Sequence, residues 1–253
     1  MMPTSTEHGA STSIITGAKE PAAAPIEHSS IFVIVPVYNE AEVLVETVMP
    51  LISAGYTVVT VNDASTDESL RKLRELPVIV LKHAVNLGQG AALETGQEFA
   101  VRHGAKVVVH FDADGQHCWE QIPDLVAPIL RGEADIVLGS RFLRPEDSGK
   151  IPVLRRFVLR MGIVVSALFT GLWLTDTHNG FRALSRKALT EIHLRENGFA
   201  HATEILASIR RSKLRYVEVP ASIHYSDYSQ AKGQSLWNSL NIVIDLLVER
   251  LLR

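Results

Sequence analysis

The chain has a single cysteine, Cys118, in 253 residues. An internal disulfide is therefore excluded, and a reducing compartment such as the cytoplasm is the natural setting. Charge of one sign is also lacking. The formal net charge is −3, whereas a general nucleic-acid binder needs a basic surplus to neutralise phosphates. No apolar run is long enough to cross a bilayer: the longest, Met161–Leu174, has 14 residues, against about 20 for a spanning helix. Residues 1–30 have neither a basic start nor an apolar centre, so they do not read as a signal peptide. Rich in Ser, Thr, Ala, Pro and Glu, they read as a disordered leader. A G-x-G-x-x-G fingerprint after the first strand is missing too, which argues against a dehydrogenase.

What is present is a globular composition, 46% hydrophobic and 21% charged. Short Val- and Ile-rich runs at Ile31–Val37, Tyr56–Val61, Val78–Leu81, Lys106–Phe111 and Ile136–Leu138 read as strands covered on both faces. Between them, Glu40–Ser53, Asp67–Leu76, Gly88–Arg102 and Trp119–Arg131 read as helices. This alternation predicts an α/β fold, a Rossmann-like, mostly parallel sheet flanked by helices. In the second half, Ile151–Leu172 and Ala200–Ser212 read as helices, and Phe181–Ser185, Leu214–Val219 and Ile223–Tyr225 as strands. The expected organisation is one domain over 31–234 and an amphipathic helix over 235–253 that packs on the domain, a partner or a membrane.

Open parallel sheets bind ligands at the carboxyl ends of their strands. Those ends carry Pro36-Val37-Tyr38-Asn39-Glu40, Asn62-Asp63 and Asp112-Ala113-Asp114-Gly115-Gln116. In extended chain, Asp112 and Asp114 point to the same side, and two such carboxylates repel unless a cation sits between them. Oxygen ligands of this kind suit Mg²⁺ or Mn²⁺, with Gln116 able to add a neutral oxygen. The plainer alternative is that the two aspartates cap the helix near Trp119. Gly88, Gly90 and Gly96 near a helix start could approach an anion through free N–H groups, or could simply let the helix pack tightly on the sheet.

In order and spacing, Val35–Glu40, Asn62–Asp67, Asn86-Leu87-Gly88-Gln89-Gly90, Asp112-Ala113-Asp114 and Gly139-Ser140-Arg141 resemble the motifs of glycosyltransferase family 2. Asp176–Arg182 and Lys232-Gly233-Gln234-Ser235 place the resemblance nearest the dolichyl-phosphate mannose synthase branch. The resemblance implies a GT-A fold and sugar transfer from a nucleotide-diphosphate sugar (UDP-, GDP- or dTDP-linked). It implies that Pro36, Tyr38 and Glu40 line the nucleoside pocket, with Asn86 and Gly88 beside it. Asp63 would meet the base, although this chain has Asn62-Asp63 where the family usually has an Asp pair. Asp112, Asp114 and Gln116 would hold the metal. Arg141, Arg182 and Lys232 would face the diphosphate or the acceptor; for each arginine, a surface salt bridge is the alternative.

Relatives acting on sugar hydroxyls often supply a general base from a Glu-Asp pair, but here Phe199–Glu204 contains none. A polyprenyl-phosphate acceptor needs no base, because its second pKa near 6 leaves it ionised. The expectation is therefore an inverting, metal-dependent transferase acting on a polyprenyl phosphate. Its competitors are a saccharide-hydroxyl transferase using His201 or Glu204 as base and a non-catalytic nucleotide-sugar sensor. As alternatives to the base role, Glu204 could pair with Arg210 or Arg211, and His201 could cap its helix. A lipid acceptor implies peripheral membrane contact, and Ile151–Leu174 could serve as that foot or as a homodimer face.

Overall fold

A computed structural model describes residues 28–144, 161, 163–164, 167–168, 170–177, 179–198 and 200–224. The strands are β1 (Ile31–Val37), β2 (Thr57–Asn62), β3 (Ile79–Lys82), β4 (Val107–His110), β5 (Ile136–Ser140), β6 (Arg182–Ser185) and β7 (Tyr216–Pro220). The helices are α1 (Leu44–Ser53), α2 (Ser69–Arg74), α3 (Gln89–Arg102), α4 (Ile122–Leu130), α5 (Arg186–Glu191) and α6 (His201–Arg211). Together the strands form one sheet in the order β3-β2-β1-β4-β6-β5-β7.

Alternate residues of β1 explain why that strand is apolar throughout. Ile31, Val33 and Val35 pack with Leu44, Val48 and Leu51 of α1 and Leu125 of α4. Phe32 and Ile34 pack on the other face with Leu93 of α3 and Ile205, Leu206 and Ile209 of α6. A strand buried on both faces cannot alternate with polar residues, and each such side chain contributes roughly 1.5–3 kcal/mol of burial.

Most pairings are parallel, but β6 runs antiparallel to both β4 and β5. The order reverses at β1, which lies between β2 and β4. The crevice at such a switch point is where open sheets take ligands. Because β6 is antiparallel, Arg182 at its start lies opposite His110 at the end of β4, so the segment before β6 joins the same sheet edge.

Several expectations need correcting. The folded region begins before Ser30: His28–Ser30 form a 3₁₀ turn, with His28 stacked on Tyr56 and hydrogen-bonded to the Ala54 carbonyl. Beyond Val219, Ile223 makes only an isolated bridge with His117. Met161, Ile163, Val164, Ala167, Leu168 and Thr170 are helical, but Gly171 and Leu172 are not. Residues 1–27, 145–160 and 225–253, with Lys232 and the expected terminal helix, lie outside the described residues.

Asp135 ties β5 to its neighbours. Its carboxylate accepts from the Arg215 backbone N–H (2.9 Å) and guanidinium (3.0 Å), and from Lys187 Nζ (3.1 Å). Hydrogen bonds from Arg215 hold this carboxyl below the ordinary range, with Lys187 adding to the effect. A depressed folded-state pKa means that the stabilisation is present above the unfolded carboxylate range and is lost as pH falls below it. Asp135→Asn should therefore lower the urea midpoint at pH 7, and the deficit should shrink below about pH 4.

Candidate active site

The loops after β1 and β2 interlock. Asn39, in the left-handed region at φ 55°, accepts through Oδ1 from the Thr66 N–H at 2.8 Å. In return, Asp67 Oδ2 accepts from the Ala41 N–H (3.0 Å) and Ser69 Oγ from the Glu40 N–H (2.9 Å). These contacts settle the backbone ahead of α1, so the helix starts at Leu44 rather than at Glu40. They fix Tyr38, which is exposed, and Glu40 at the sheet edge.

Asp63 has a task that the resemblance did not imply. Its Oδ1 accepts from the Leu87 N–H (2.8 Å) and meets His83 Nδ1 (2.7 Å), and its Oδ2 accepts from the Gly88 N–H (2.7 Å). The Gly90 N–H goes to the Asn197 carbonyl at 2.8 Å. The Gly88 and Gly90 N–H groups are therefore satisfied internally. Glycine is required by packing at Gly88: φ is +99°, and a Cβ would lie 2.3 Å from the Asn197 oxygen. Asn86 is exposed on the same loop.

Asp112 and Asp114 do come together. Asp112 accepts from Gln89 Nε2 at Oδ1 (2.8 Å) and from His117 Nε2 at Oδ2 (2.9 Å), yet 27% of its side chain stays accessible. Burial opposes its charge, but the His117 hydrogen bond and the nearby Arg182 hold its carboxyl below the ordinary range. Asp114 is pushed up to about 6 by burial and by the Asp112 charge, with Glu40 adding to it. The Asp114 Oδ1 accepts from the Gln116 N–H (3.0 Å), and a cavity of about 180 Å³ opens beside it, lined by Glu46, Thr47, His117 and Trp119. Like charges that hold one another's protons are relieved by a cation. Among the described residues no three His, Cys, Asp or Glu side chains converge as a closed cage. The Asp112 and Asp114 carboxylates are the oxygen donors that suit Mg²⁺ or Mn²⁺, which commonly takes its remaining oxygens from substrate phosphates and water.

The two arginines are buried, so neither makes the surface salt bridge weighed as its alternative. Arg141 is not a surface group: Nε and Nη2 grip Asp176 at 2.6 and 2.8 Å, and both side chains are under a tenth exposed. Glu218 of β7 in turn holds the Thr175 N–H (2.9 Å) and the Asp176 N–H (3.2 Å). Arg182 is 2% exposed, and its Nη1 has no hydrogen-bond partner among the described residues. Burial lowers its pKa to about 10, against the pull of Asp112 and Asp176. It sits among these buried charges, and its own charge favours the ionised form of Asp112.

The candidate bases are also otherwise engaged. His201 is buried, its Nδ1 meets the Gly198 carbonyl at 2.8 Å, and burial with the nearby Arg182 charge lowers its pKa to about 4. Glu204 Oε2 accepts from the Arg195 (2.9 Å) and Glu196 (3.0 Å) N–H groups, so it serves backbone donors rather than the Arg210 or Arg211 partners expected of it. Gln89, His117 and Asp176 were missed as site residues. Gln89 and Asp176 lie within the motifs that carry the family resemblance, and His117 follows Asp112 by five residues, but no local pattern assigns any of them a partner.

Comparison with known proteins agrees with this geometry. The family model for glycosyl transferase family 2 matches residues 32–193. The UDP-N-acetylglucosamine–dolichyl-phosphate N-acetylglucosaminyltransferase of Methanococcus voltae is 31% identical over 239 residues, covering 86% of this chain and 95% of that protein. The undecaprenyl-phosphate mannosyltransferase of Micrococcus luteus is 30% identical over 212 residues, covering 80% and 86%. Among solved structures, glucosyl-3-phosphoglycerate synthase from Mycobacterium tuberculosis superposes with a TM-score of 0.63 at 19% identity, covering 86% of this chain and 77% of that one. The sheet with its switch-point crevice is thus a GT-A fold, and the chain belongs to glycosyl transferase family 2, the enzymes that transfer sugars.

Proposed function

We propose that this glycosyltransferase moves a sugar, with inversion, from a nucleotide-diphosphate sugar to a polyprenyl phosphate. The observation that carries the reading is the state of the two candidate bases. His201 is buried and weakly basic, and Glu204 is committed to backbone N–H groups. A sugar hydroxyl needs a base, whereas a phosphate monoester is already ionised at neutral pH. Relatives at 30–31% identity are named for dolichyl- and undecaprenyl-phosphate acceptors.

A phosphate oxygen of the acceptor attacks the anomeric carbon as the bond from that carbon to the diphosphate oxygen breaks, and the electron pair leaves with the nucleotide diphosphate. Asp112, Asp114 and Gln116 would hold Mg²⁺ or Mn²⁺, which supplies positive charge for the leaving diphosphate. A solved neighbour on this fold, glucosyl-3-phosphoglycerate synthase from Mycobacterium tuberculosis, is a complex with Mn²⁺, uridine diphosphate and phosphoglyceric acid. Tyr38 and Glu40 border the crevice on the β1 side, and Lys232 is the basic group that the sequence offers to the phosphates.

A lipid acceptor requires a face for the bilayer. No helix among the described residues is long and apolar enough to cross one. Leu168 is nevertheless 75% and Trp173 72% exposed, and Met161 and Val164 are exposed at helical spacing with Leu168. Large apolar side chains grouped in this way mark an interaction surface, and an amphipathic segment of this kind can lie in a membrane interface.

Radiolabelled UDP-, GDP- and dTDP-sugars, offered with Mn²⁺ and vesicles containing polyprenyl phosphate, should place label in the organic phase. Leu168→Glu/Trp173→Glu should cosediment less with those vesicles. Metal-dependent donor hydrolysis with no lipid product would favour a saccharide acceptor instead. Neither product with any donor would favour a binding role without turnover.

A further inference from the structure

We propose that His117 and Gln89 are positioning residues that lock the Asp112 carboxylate in the orientation that serves a divalent cation. The inference rests on reading Asp112 as a metal ligand. An accessible aspartate samples several rotamers, and each must be frozen out before a cation can be held. Here each oxygen has its own donor from a different element: Gln89 Nε2 from the first residue of α3 at 2.8 Å, and His117 Nε2 from the loop after β4 at 2.9 Å. Each carboxylate oxygen retains a second lone pair, and the 27% exposure of the Asp112 side chain leaves it reachable.

His117 is itself immobilised. Its ring stacks on Phe181 with centroids 5.1 Å apart and meets Phe111 edge-on at 5.4 Å. Its side chain is 3% exposed. With Nε2 donating to Asp112, Nδ1 is left buried with no partner. An orphaned polar nitrogen in an aromatic pocket is unfavourable, and phenylalanine would fill the same space without one. The imidazole is therefore explained by its bond to Asp112. Gly180 completes the arrangement, since a Cβ there would lie 2.4 Å from Asp112 Oδ2. Groups that orient a metal ligand from behind commonly change metal affinity about 10- to 100-fold when removed.

The test titrates Mn²⁺ alone into the full chain and follows free Mn²⁺ by electron paramagnetic resonance. His117→Phe, which keeps the ring packing, and Gln89→Leu should each weaken binding by about tenfold or more. Gln89→Glu should weaken it further unless that carboxylate itself takes the metal, which tighter binding would show and which would overturn the orienting role of Gln89. In transfer assays the Mn²⁺ concentration for half-maximal rate should rise while kcat at saturating Mn²⁺ is largely retained. Variants that melt with the parent and bind Mn²⁺ equally well would overturn the proposal. Should His117→Phe fail to fold, Gln89→Leu decides alone. A parent protein that binds no Mn²⁺ would remove the metal reading of Asp112 and this inference with it, whereas parent binding with unchanged variants sinks the inference alone.

Discussion

Asp114→Asn is expected to lower sugar transfer by about a thousandfold, the upper end of what removal of one group stabilising transition-state charge costs, while the metal-free protein becomes more stable. The two halves of this result have one cause. Burial and the Asp112 charge push the Asp114 carboxyl up to about 6. A carboxyl whose folded pKa is raised destabilises the fold as pH climbs from the unfolded value, near 3.9, through the folded one. Above that window the protein carries the full penalty, and the amide removes it. At pH 7.5 the melting temperature should rise by about 2–4 °C for each kcal/mol relieved. Below about pH 4 the difference should vanish, because the parent is then protonated in both states. A residue whose loss destroys turnover and improves stability is held for function at the expense of the fold. Thermal melts without metal, run beside radiolabel transfer with Mn²⁺, measure both halves. A variant that loses stability together with activity would make Asp114 a structural capping residue, the plainer alternative for this pair. Addition of EDTA to the parent should reproduce the loss of turnover.

The elements and the site differed in how far the sequence revealed them. Strands β1, β2, β4 and β5 were legible because each is buried on both faces, and Val33 and Ile34 must both be apolar when α1 covers one side and α3 the other. Edge strand β3 is only half-buried and showed through its Ile-Val-Leu run. The start of α1 was misjudged because Glu40 and Ala41 give their N–H groups to Ser69 and Asp67 on another loop, a contact that no periodicity records. Helix α5 was missed, although Ser185 caps it by accepting from the Ala188 N–H at 3.2 Å. It follows β6 without any intervening turn residue. The aspartates at the strand ends were visible because position after a strand is a local property. The partners that define their chemistry were not. Gln89 reaches Asp112 from 23 residues away and Asp176 reaches Arg141 across 35. The antiparallel insertion of β6, which buries Arg182 beside Asp112, cannot be read from an alternation of strands and helices.

The Arg141–Asp176 pair yields the second large effect. Asp176→Ala should destabilise the protein by about 3–5 kcal/mol, the usual cost of removing one member of a buried ion pair. That is a large share of a total stability of about 5–15 kcal/mol. Arg141 is 7% exposed and Asp176 4%, so neither charge can turn to water without moving backbone. Asp176 Oδ2 also accepts from the Arg141 N–H at 3.2 Å, and Glu218 fixes the Asp176 N–H from β7. The aspartate therefore joins the end of β5 to the segment that leads into β6, and that segment supplies Gly180 beneath Asp112. Loss of the carboxylate should consequently be felt at the metal ligand as well as in the melting curve. Arg141→Ala alone leaves the carboxylate with Arg182 still close enough to favour its charge, so its cost should be smaller than that of Asp176→Ala. Removing both partners should cost less than the two single changes added together, because each single change already removes the contact that the two share. Urea titrations of the two single variants and the double variant measure this coupling. Additive losses would mean that each side chain acts through other neighbours, and that the pair does not join β5 to the β6 segment.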